Sequence, residues 1–311
     1  MSGAAVLSGG TARIAQPRFS IVTSSFNHGQ FIEATLRSVR DQARDDVEHI
    51  VIDGGSTDGT VDILRELDSS LAYWVSAPDA GQPAAWNEGV RRARGDILGF
   101  LNSDDQYLPG GLNEIACLAD ERLDADWLIG GTIYFGDGPA LTYPGLAPTC
   151  ATDILYFNAY APQPGHFWRK SLLDRVGAFN ESLHYTFDFD YVMRCVLAPH
   201  VAAATPSLVA RFRFHAASKS VAGRDLQLAE GATLEAKYWP EVERREGGSA
   251  RRARATWHGY LALHAARERL LAGDRSGAWQ IVRDTAARYP IMVPTRAFLG
   301  TVQRLVGLRR S

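Results

Sequence analysis

Two adjacent acids follow an apolar segment about a third of the way along the chain. Asp104 and Asp105 come shortly after residues 97–101, which are entirely apolar. Neighbouring carboxylates repel each other, and this raises a pKa unless a cation or a hydrogen-bond donor compensates it. A divalent cation, Mg²⁺ or Mn²⁺, is the natural compensation, because one or two carboxylates hold it and oxygens of a nucleotide diphosphate complete its shell. The alternative is a solvated acidic turn before Pro109.

Three further clusters of small and polar residues follow apolar segments earlier in the chain. They occupy residues 23–27, 53–60 and 78–82, and Asn87 follows the third. Each cluster alone is typical of a turn that starts a helix, with Ser56 as a capping residue in the second. Open α/β sheets bind their ligands at the carboxyl ends of the strands. Together the clusters predict one crevice at such an edge.

The segments between these clusters alternate between short apolar runs and amphipathic stretches. The strand-like runs are residues 19–23, 49–53, 72–76 and 97–101, and the helix-like stretches are residues 31–39 and 60–67. Within the first stretch, Ile32, Leu36 and Val39 recur at helical spacing and predict a buried stripe. The alternation predicts an α/β fold with a mainly parallel central sheet flanked by helices.

After about residue 220 the chain becomes rich in Ala, Arg and Leu, which predicts a C-terminal helical appendage. A stop at Gly273 and Asp274 separates two helical stretches, and the second ends before Pro290. A final amphipathic helix is predicted over residues 301–310. Its apolar side would carry Val302, Leu305 and Val306, and its basic side Arg304, Arg309 and Arg310. The predicted organisation is a flexible leader (1–16), an α/β domain (17–220) and a helical region (221–311).

The composition is that of a globular protein, with 46% hydrophobic and 22% charged residues. The formal net charge of −2 conceals an acidic body and a basic tail, because residues 241–311 hold 14 Arg and 6 acids. The acidic body argues against general nucleic-acid binding. The tail suits phosphate, an acidic partner or peripheral contact with an anionic membrane, and solvated helix faces explain it equally well.

The spacing of the cysteines and the hydropathy of the sequence indicate the cellular compartment of the protein. The cysteines lie far apart without CxxC spacing: Cys117, Cys150 and Cys195. They predict neither a disulfide framework nor a zinc site and favour a reducing compartment. Residues 1–17 lack the pattern of a secretory signal, and the nearest candidate for a membrane span, residues 291–308, is broken by proline and charged residues. We therefore expect a cytoplasmic protein, with peripheral attachment to the inner face of the membrane as an option.

Six ordered segments resemble those of a known family: SIVTSSFNHGQFIEATLRSVRDQ, HIVIDGGSTDGTVDIL, APDAGQPAAWNEGVRRARGDILGFLNSDD, QPGHFWRK, GAFNESLHYTFDFDYVMRC and RFRFHAASKS. In this order and spacing the chain resembles a family 2 glycosyltransferase of the GT-A fold over residues 17–220. The resemblance implies a single-displacement, inverting transfer of a sugar from a nucleotide-diphosphate donor, usually a UDP-sugar, to an acceptor hydroxyl. It also implies Mn²⁺ or Mg²⁺, and a glycan or lipid-linked acceptor in bacterial polysaccharide or glycoconjugate assembly.

The resemblance assigns roles to the residues of the four clusters. Asp53 matches the acid that hydrogen-bonds the nucleotide base, and Thr23 and Ser25 lie in the first turn around that base. Asp104 matches a position next to the ribose or donor sugar, and Asp105 is the expected metal ligand. The remaining positions implied on the donor side are Asn27, Ser56, Asp79, Gln82, Asn87 and Lys219.

The same resemblance implies a base that deprotonates the acceptor hydroxyl. The Asp-Tyr-x-x-x-Arg frame makes Asp190 the candidate, with Asp188 as runner-up, and either acid could instead cap the helix that follows. His215 is expected to approach the metal or the diphosphate, with a structural role as the alternative. The acceptor side is expected at Gln163, His166 and Trp168. For Trp168, aromatic packing is an equal alternative.

Three positions depart from the family pattern. Ser24 replaces a common Pro, Asn102 replaces the first Asp of the metal motif, and Phe189 replaces a common Glu. The third departure leaves Asp190 as the only acid of the usual pair and keeps Asp188 in consideration. Two other classes remain open: a catalytically silent nucleotide- or sugar-binding protein, and a sugar nucleotidyltransferase. The glycine-rich loop typical of the latter is missing from SSFNHGQF.

Overall fold

The predicted central sheet is present in the computed structural model, which describes residues 6–138, 140–156, 162–215, 218–219 and 223–306. Its strands in these residues are β1 (Leu7–Gly9), β2 (Phe19–Ser25), β3 (Val47–Asp53), β4 (Tyr73–Ser76), β5 (Ile97–Asn102), β6 (Gln106–Tyr107), β7 (Trp127–Gly136), β8 (Thr142–Tyr143), β9 (His166–Arg169) and β10 (Ala202–Phe214). The order is β1-β4-β3-β2-β5-β9-β7-β10-β6, and β8 pairs with β7.

Parallel pairing dominates the centre of the sheet, which confirms the predicted fold class. Strand β2 pairs in parallel with β3 and β5, β3 with β4, and β7 with β10. Strand β9 runs antiparallel between β5 and β7, and β1, which lies within the predicted leader, pairs antiparallel with β4. The carboxyl ends of β2, β3, β4 and β5 therefore meet at one edge of the sheet.

Helices connect these strands and cover the sheet. They are α1 (Gly29–Arg40), α2 (Thr60–Glu66), α3 (Gln82–Arg92), α4 (Gly111–Glu121), α5 (Ala151–Leu155), α6 (Lys170–Val176) and α7 (Phe187–Leu197). The predicted stripe of α1 is buried, because Ile32, Leu36 and Val39 are all less than 5% exposed. Helix α3 starts after Gly81, whose φ of 104° favours glycine, and Pro83 lies in its first turn.

The described chain divides into two units by its internal contacts. The first comprises the described residues up to Ile154 and those from 162 to Glu235, and the second comprises Leu155, Tyr156 and residues 236–306. The last four helices are α8 (Arg224–Glu246), α9 (Gly248–Leu271), α10 (Arg275–Arg288) and α11 (Arg296–Leu305). The C-terminal helices predicted from the composition are thus present.

The second unit has its own apolar core, formed by Leu263, Ala266, Ala278, Val282, Met292, Phe298 and Leu305.

The predicted stop after α9 coincides with a helix cap, because the Asp274 carboxylate accepts a hydrogen bond from the Gly277 N–H at 2.8 Å. The last helix begins earlier than predicted, since the Thr295 hydroxyl caps it through the Phe298 N–H at 3.2 Å. Arg309 and Arg310 lie outside the described residues. No helix in the described ranges is long and apolar enough to cross a membrane.

A close contact between α3 and β2 generates a stability prediction. A methyl group on Gly89 would lie 2.2 Å from Cγ1 of Val22, which is completely buried. We expect Gly89→Ala to lower the free energy of unfolding by about 1–3 kcal/mol, because the branched valine cannot move aside without displacing its neighbours. Urea denaturation followed by tryptophan fluorescence measures the change.

The control variant is Gly231→Ala on α8. Apart from the backbone of α8 itself, no atom of the described residues lies within 4 Å of the added methyl group at this position. Alanine is a better helix former than glycine by about 1 kcal/mol, so the control should be neutral or stabilising. Equal effects of the two substitutions would contradict the packing argument.

Candidate active site

Asn27 ties together the loops that follow β2 and β3. Its backbone N–H donates to Ser56 Oγ at 2.7 Å, and its Oδ1 accepts from the Thr57 N–H at 2.9 Å. The φ of Asn27 is 53°, a left-handed conformation that asparagine adopts more readily than most residues. The first two polar clusters therefore form one connected surface.

The carboxylate of Asp53 is engaged within its own turn. Its Oδ2 accepts hydrogen bonds from the Ser56 N–H at 2.8 Å and from the Ser76 hydroxyl at 2.6 Å, and its Oδ1 accepts from the Ser56 hydroxyl at 2.5 Å. Asp53 is only 1% exposed. These bonds shape the loop after β3, and direct contact of Asp53 with a nucleotide base stays a prediction.

Thr23 and Ser25 belong to the buried body of β2. The Thr23 hydroxyl lies 2.9 Å from Nε2 of His49 on the neighbouring strand. Burial lowers the pKa of His49 to about 3, so this ring is neutral at physiological pH. Ser25 Oγ is also buried, and it has no hydrogen-bond partner among the described residues. Thr23 faces another side chain of the sheet and not the open edge.

Asp79 and Phe26 flank Gly54 on the solvent-facing side of the sheet edge where β2, β3 and β4 end. A Cβ atom on Gly54 would lie 3.3 Å from both Asp79 Oδ1 and Phe26 Cδ2. Partial burial, and then the charge of Asp53, raise the pKa of Asp79. Phe26 is 60% exposed, which is unusual for a large apolar ring. Phe26 was not among the predicted site residues, although it is the one aromatic residue in the first polar cluster.

Asn87 holds a distant segment against α3. Its Nδ2 donates to the Phe179 carbonyl at 3.0 Å and to Glu181 Oε1 at 2.7 Å, while its Oδ1 accepts from the Phe179 N–H at 2.8 Å. Asn87 is 5% exposed. The structure therefore brings Asn87 to residues 179–181, and its expected role in donor binding stays a prediction.

Asp104 and Asp105, the two strand-end acids, face different partners. Asp104 Oδ2 lies 3.1 Å from Nε2 of His215, and both residues are largely buried. Asp105 accepts the Arg213 backbone N–H on Oδ1 at 2.8 Å and the Asn102 amide on Oδ2 at 3.2 Å. Burial, and then the charge of Asp104, raise the pKa of Asp105 well above its usual range. Asn102 supplies a donor here, where an aspartate would add a third negative charge.

The side chains near the strand-end acids determine whether a divalent cation fits there. Among the described residues, no group of three or more His, Cys, Asp and Glu side chains is arranged to hold a metal ion. Asp104 and His215 nevertheless present a carboxylate oxygen and an imidazole nitrogen to each other. This pair suits Mn²⁺ or Mg²⁺ if diphosphate oxygens supply further ligands. The residues present fit the ion, with Asp104 better placed for it than Asp105.

Gln82 and Lys219 extend this polar cluster. Gln82 Nε2 donates to Asn102 Oδ1 at 2.6 Å, and Lys219 Nζ donates to Gln82 Oε1 at 3.3 Å. Lys219 also lies over the rings of Tyr185 and Phe187. Burial lowers the pKa of Lys219. Hydrogen bonds thus connect Asn102 with Lys219 through Gln82, and the contact of Lys219 with the Phe187 ring leads on to the start of α7.

The two acids of α7 have different environments. Asp190 is 1% exposed and forms an ion pair with Arg194 at 2.9 Å. Arg194 is itself anchored through hydrogen bonds to the carbonyls of Val176 and Ala178. Asp188 remains partly accessible, and burial raises the pKa of its carboxyl group, while a hydrogen bond from the Phe189 N–H and then the charge of Lys219 partly offset this effect. Asp190 therefore has a structural partner, whereas Asp188 is connected to the polar cluster.

A single carboxylate holds the start of α7. Glu230 on α8 accepts hydrogen bonds at 2.9 Å from the backbone N–H groups of His184, Tyr185 and Thr186, and from the Thr186 hydroxyl. These bonds lower the pKa of Glu230, against the opposing effect of burial. The turn that precedes Asp188 is thereby fixed.

The residues expected on the acceptor side are buried beside Asp188. They line one small cavity with it: Gln163, His166 and Trp168. Gln163 Nε2 donates to the Phe100 carbonyl at 2.6 Å, and His166 Nδ1 accepts from Trp127 Nε1 at 3.0 Å. The indole N–H of Trp168 is buried without a partner among the described residues. The three side chains form part of the wall of the cavity that Asp188 also lines, and their contact with an acceptor stays a prediction.

The sequence analysis also missed two residues beside the strand-end acids. His28 Nδ1 lies 2.7 Å from the hydroxyl of Ser103, and the ring of His28 contacts that of His215 edge to face. Arg213 donates from Nε to the Asp104 carbonyl at 3.1 Å. Both residues lie within the quoted segments, but their long-range partners leave no periodic signal.

Comparison with known proteins identifies the family. Residues 20–179 match the model described as Glycosyl transferase family 2. A PGL/p-HBAD biosynthesis glycosyltransferase of Mycobacterium tuberculosis is 30% identical over 207 residues, which are 64% of this chain and 75% of that protein. The chain belongs to glycosyltransferase family 2, as its motifs indicated.

Solved structures support the fold. TarS 1–349 of S. aureus in complex with UDP-GlcNAc has a TM-score of 0.56 at 18% identity, covering 79% of this chain and 80% of that chain. In another TarS structure, with a TM-score of 0.61, 20% identity and 78% coverage of this chain, the match spans only 43% of that chain. A Pyrobaculum calidifontis mannosyltransferase, PcManGT, in complex with GDP-Man and Mn²⁺, has a TM-score of 0.56 at 16% identity over 97% of this chain and 90% of that one. The GT-A type of fold is thereby confirmed.

The ion pair on α7 predicts the effect of Asp190→Asn. Removing one partner of a buried pair leaves the other charge uncompensated, and Arg194 is about three-quarters buried. We expect the free energy of unfolding to fall by about 3 kcal/mol, while nucleotide binding at 25 °C is unchanged. Denaturant titration and calorimetry measure the two effects. A variant as stable as the parent chain would remove the structural role of Asp190.

Proposed function

We propose that this chain is a metal-dependent, inverting glycosyltransferase in which Asp188 is the base. The observation that carries the proposal is the hydrogen-bonded chain from Lys219 through Gln82 to Asn102, which connects the surroundings of Asp188 with the strand-end acids. The transferase domain is proposed to span residues 17–220 and the helical region residues 221–311. Its reaction would form one glycosidic bond and break one sugar–phosphate bond.

The geometry favours Asp188 over Asp190 as the base. A general base must reach the proton that it removes, and Asp188 is partly accessible whereas Asp190 is 1% exposed and paired with Arg194. Asp188 would take the proton of the acceptor hydroxyl while the oxygen attacks the anomeric carbon from the face opposite the diphosphate. The bond from that carbon to the diphosphate breaks, and the anomeric configuration inverts. Lys219 would offset charge on the departing diphosphate.

The donor is proposed to be a UDP-sugar at the edge formed by β2, β3 and β4. The proposal draws support from TarS, which is solved with UDP-GlcNAc, while PcManGT is solved with GDP-Man. On this chain, Phe26 and Asp79 lie at the open side of the edge, and Asn27 with Ser56 holds the loops beneath them. Asp53 would act by shaping its loop.

A divalent cation would be held by Asp104 and His215. When bound, it supplies positive charge that stabilises the leaving diphosphate. Asp104 would keep its carboxylate turned towards His215, and Asp105 would hold the strand end through Arg213 and Asn102. This arrangement differs from the expectation that Asp105 is the direct ligand.

The acceptor is proposed to be a glycan or a lipid-linked molecule of polysaccharide or glycoconjugate assembly. The related protein of Mycobacterium tuberculosis is named for PGL/p-HBAD biosynthesis. Peripheral contact with the inner face of an anionic membrane stays a prediction, and the exposed Leu299 of α11 and Val306 directly after this helix are consistent with it.

Substituting Asp188→Asn tests the base. We expect the rate of sugar transfer to fall by about 10²–10⁴-fold with UDP-sugar binding retained. In the parent chain the rate should rise with pH through the raised pKa of Asp188, because only the carboxylate accepts a proton, and fall again through the lowered pKa of Lys219. Transfer measured across pH with a radiolabelled donor gives both results.

The matched control is Asp190→Asn at a temperature where it is folded. This variant should keep the rise of the transfer rate with pH that is expected from Asp188, and most of the maximal rate of sugar transfer. Loss of transfer in the control, with full activity in Asp188→Asn, would assign the base to Asp190. Nucleotide binding without transfer or donor hydrolysis in the parent chain would instead favour a silent binding protein.

A second test concerns the nucleotide and the cation. Calorimetric titration with UDP, GDP, dTDP and CDP should show UDP binding strengthened at least tenfold by Mn²⁺. The strengthening should disappear in Asp104→Asn and His215→Gln. Asp105→Asn should retain the Mn²⁺ effect and lose thermal stability, because its contacts are internal. The reverse pattern would make Asp105 the ligand.

A further inference from the structure

Strand β10 presents two arginines on one side near its end. Alternation along a strand places Arg211 and Arg213 on one face, and Phe212 and Phe214 on the other. Phe212 packs against Tyr134, with 5.1 Å between ring centroids. Both arginines are only partly buried, so their face of the strand is accessible to a ligand.

Aromatic rings hold the two guanidinium groups. The guanidinium carbon of Arg211 lies 4.6 Å from the centroid of Phe135, and that of Arg213 lies 4.3 Å from the same centroid. Arg213 also lies 4.8 Å from the centroid of Phe31 on α1. Such stacking orients a guanidinium group without consuming its hydrogen-bond donors. The pair is therefore pre-organised for an incoming acceptor of hydrogen bonds.

The hydrogen-bond partners of these guanidinium groups are neutral. Arg211 donates to the amide oxygen of Gln106, and Arg213 donates from Nε to the Asp104 backbone carbonyl. Within the part of the chain that the structure describes, neither group forms an ion pair with a carboxylate. Burial and the neighbouring charge of Arg213 lower the pKa of Arg211. An anion between the two arginines would relieve this repulsion.

The pair lies next to the strand-end acids, because Arg213 Nε donates to the Asp104 carbonyl at 3.1 Å. The polar clusters lie at the ends of β2, β3 and β4, whereas β10 pairs with β7 and β6 towards the other end of the sheet. Asp105 lies between these two regions, because it accepts hydrogen bonds from Asn102 at the end of β5 and from Arg213 on β10. A group bound at the arginines would thus lie across the strand-end acids from the nucleotide.

We propose that Arg211 and Arg213 bind a phosphate group of the acceptor. This inference rests on the proposed transferase function and names its acceptor class, a molecule that carries a phosphate ester close to the hydroxyl that receives the sugar. Planar guanidinium groups bind phosphate oxygens in pairs, which orients the ligand as well as attracting it. The site would hold the acceptor at a fixed distance from the strand-end acids.

Calorimetric titration with sn-glycerol 3-phosphate, of protein already saturated with UDP and Mn²⁺, tests the site. We expect saturable binding that weakens at least tenfold in Arg211→Gln and in Arg213→Gln. Arg65→Gln is the matched control, since Arg65 is an exposed arginine of α2 paired only with Asp62. Phe135→Leu should weaken binding as well, because it removes the stacking ring and leaves both charges.

The outcomes separate this proposal from the proposed function. UDP binding should be unchanged in Arg211→Gln, and its loss would show that the pair serves the donor diphosphate, which overturns the acceptor assignment. Competition between UDP and glycerol phosphate, or no binding of glycerol phosphate by the parent chain, would overturn it too. If Arg213→Gln does not fold, Arg211→Gln decides alone. Failure of UDP binding in the parent chain would instead contradict the transferase function.

Discussion

One hydrogen bond between distant parts of the chain supports most of the candidate site. The Arg213 backbone N–H donates to the carboxylate of Asp105, 108 residues earlier in the sequence. It attaches the end of β10 to the turn after β5, and His215 is thereby held next to Asp104. Because both strand-end acids are buried, this donor also compensates a charge that would otherwise be costly. The functional geometry therefore depends on a backbone group.

Several carboxylates that attract attention in the sequence have structural tasks. Asp53 closes its own loop, Asp190 anchors Arg194, and Asp105 joins two strands. In each case, the carboxylate is almost fully buried and its oxygens are engaged by internal donors. Asp104 and Asp188 are the acids that remain for the proposed chemistry: Asp104 faces His215, and Asp188 lies near the charge of Lys219. Burial and partners distinguish the two groups, whereas residue type does not.

The alternation of apolar and amphipathic segments was sufficient to predict the parallel sheet. This alternation consists of local patterns, such as the helical spacing of Ile32, Leu36 and Val39 between two strands. The choice between Asp188 and Asp190 was harder, although Arg194 lies at i+4 from Asp190 and thus one helical turn away. The resemblance placed His215 near the metal or the diphosphate, but its contact with Asp104 and that of Arg213 with Phe31 could not be derived from local patterns, since they join residues far apart in sequence. The antiparallel β9 was also missed, because a short buried strand shows no direction in its composition.

The capture of three successive backbone N–H groups by Glu230 has a consequence for the acceptor reaction. A loop that becomes ordered only when substrate arrives subtracts its conformational entropy from the binding free energy. Here the residues before Asp188 are already ordered by the folding of α8 against them. For Asp188 as the proposed base, the cost of its placement is therefore met during folding, and an acceptor would meet a pre-positioned carboxylate.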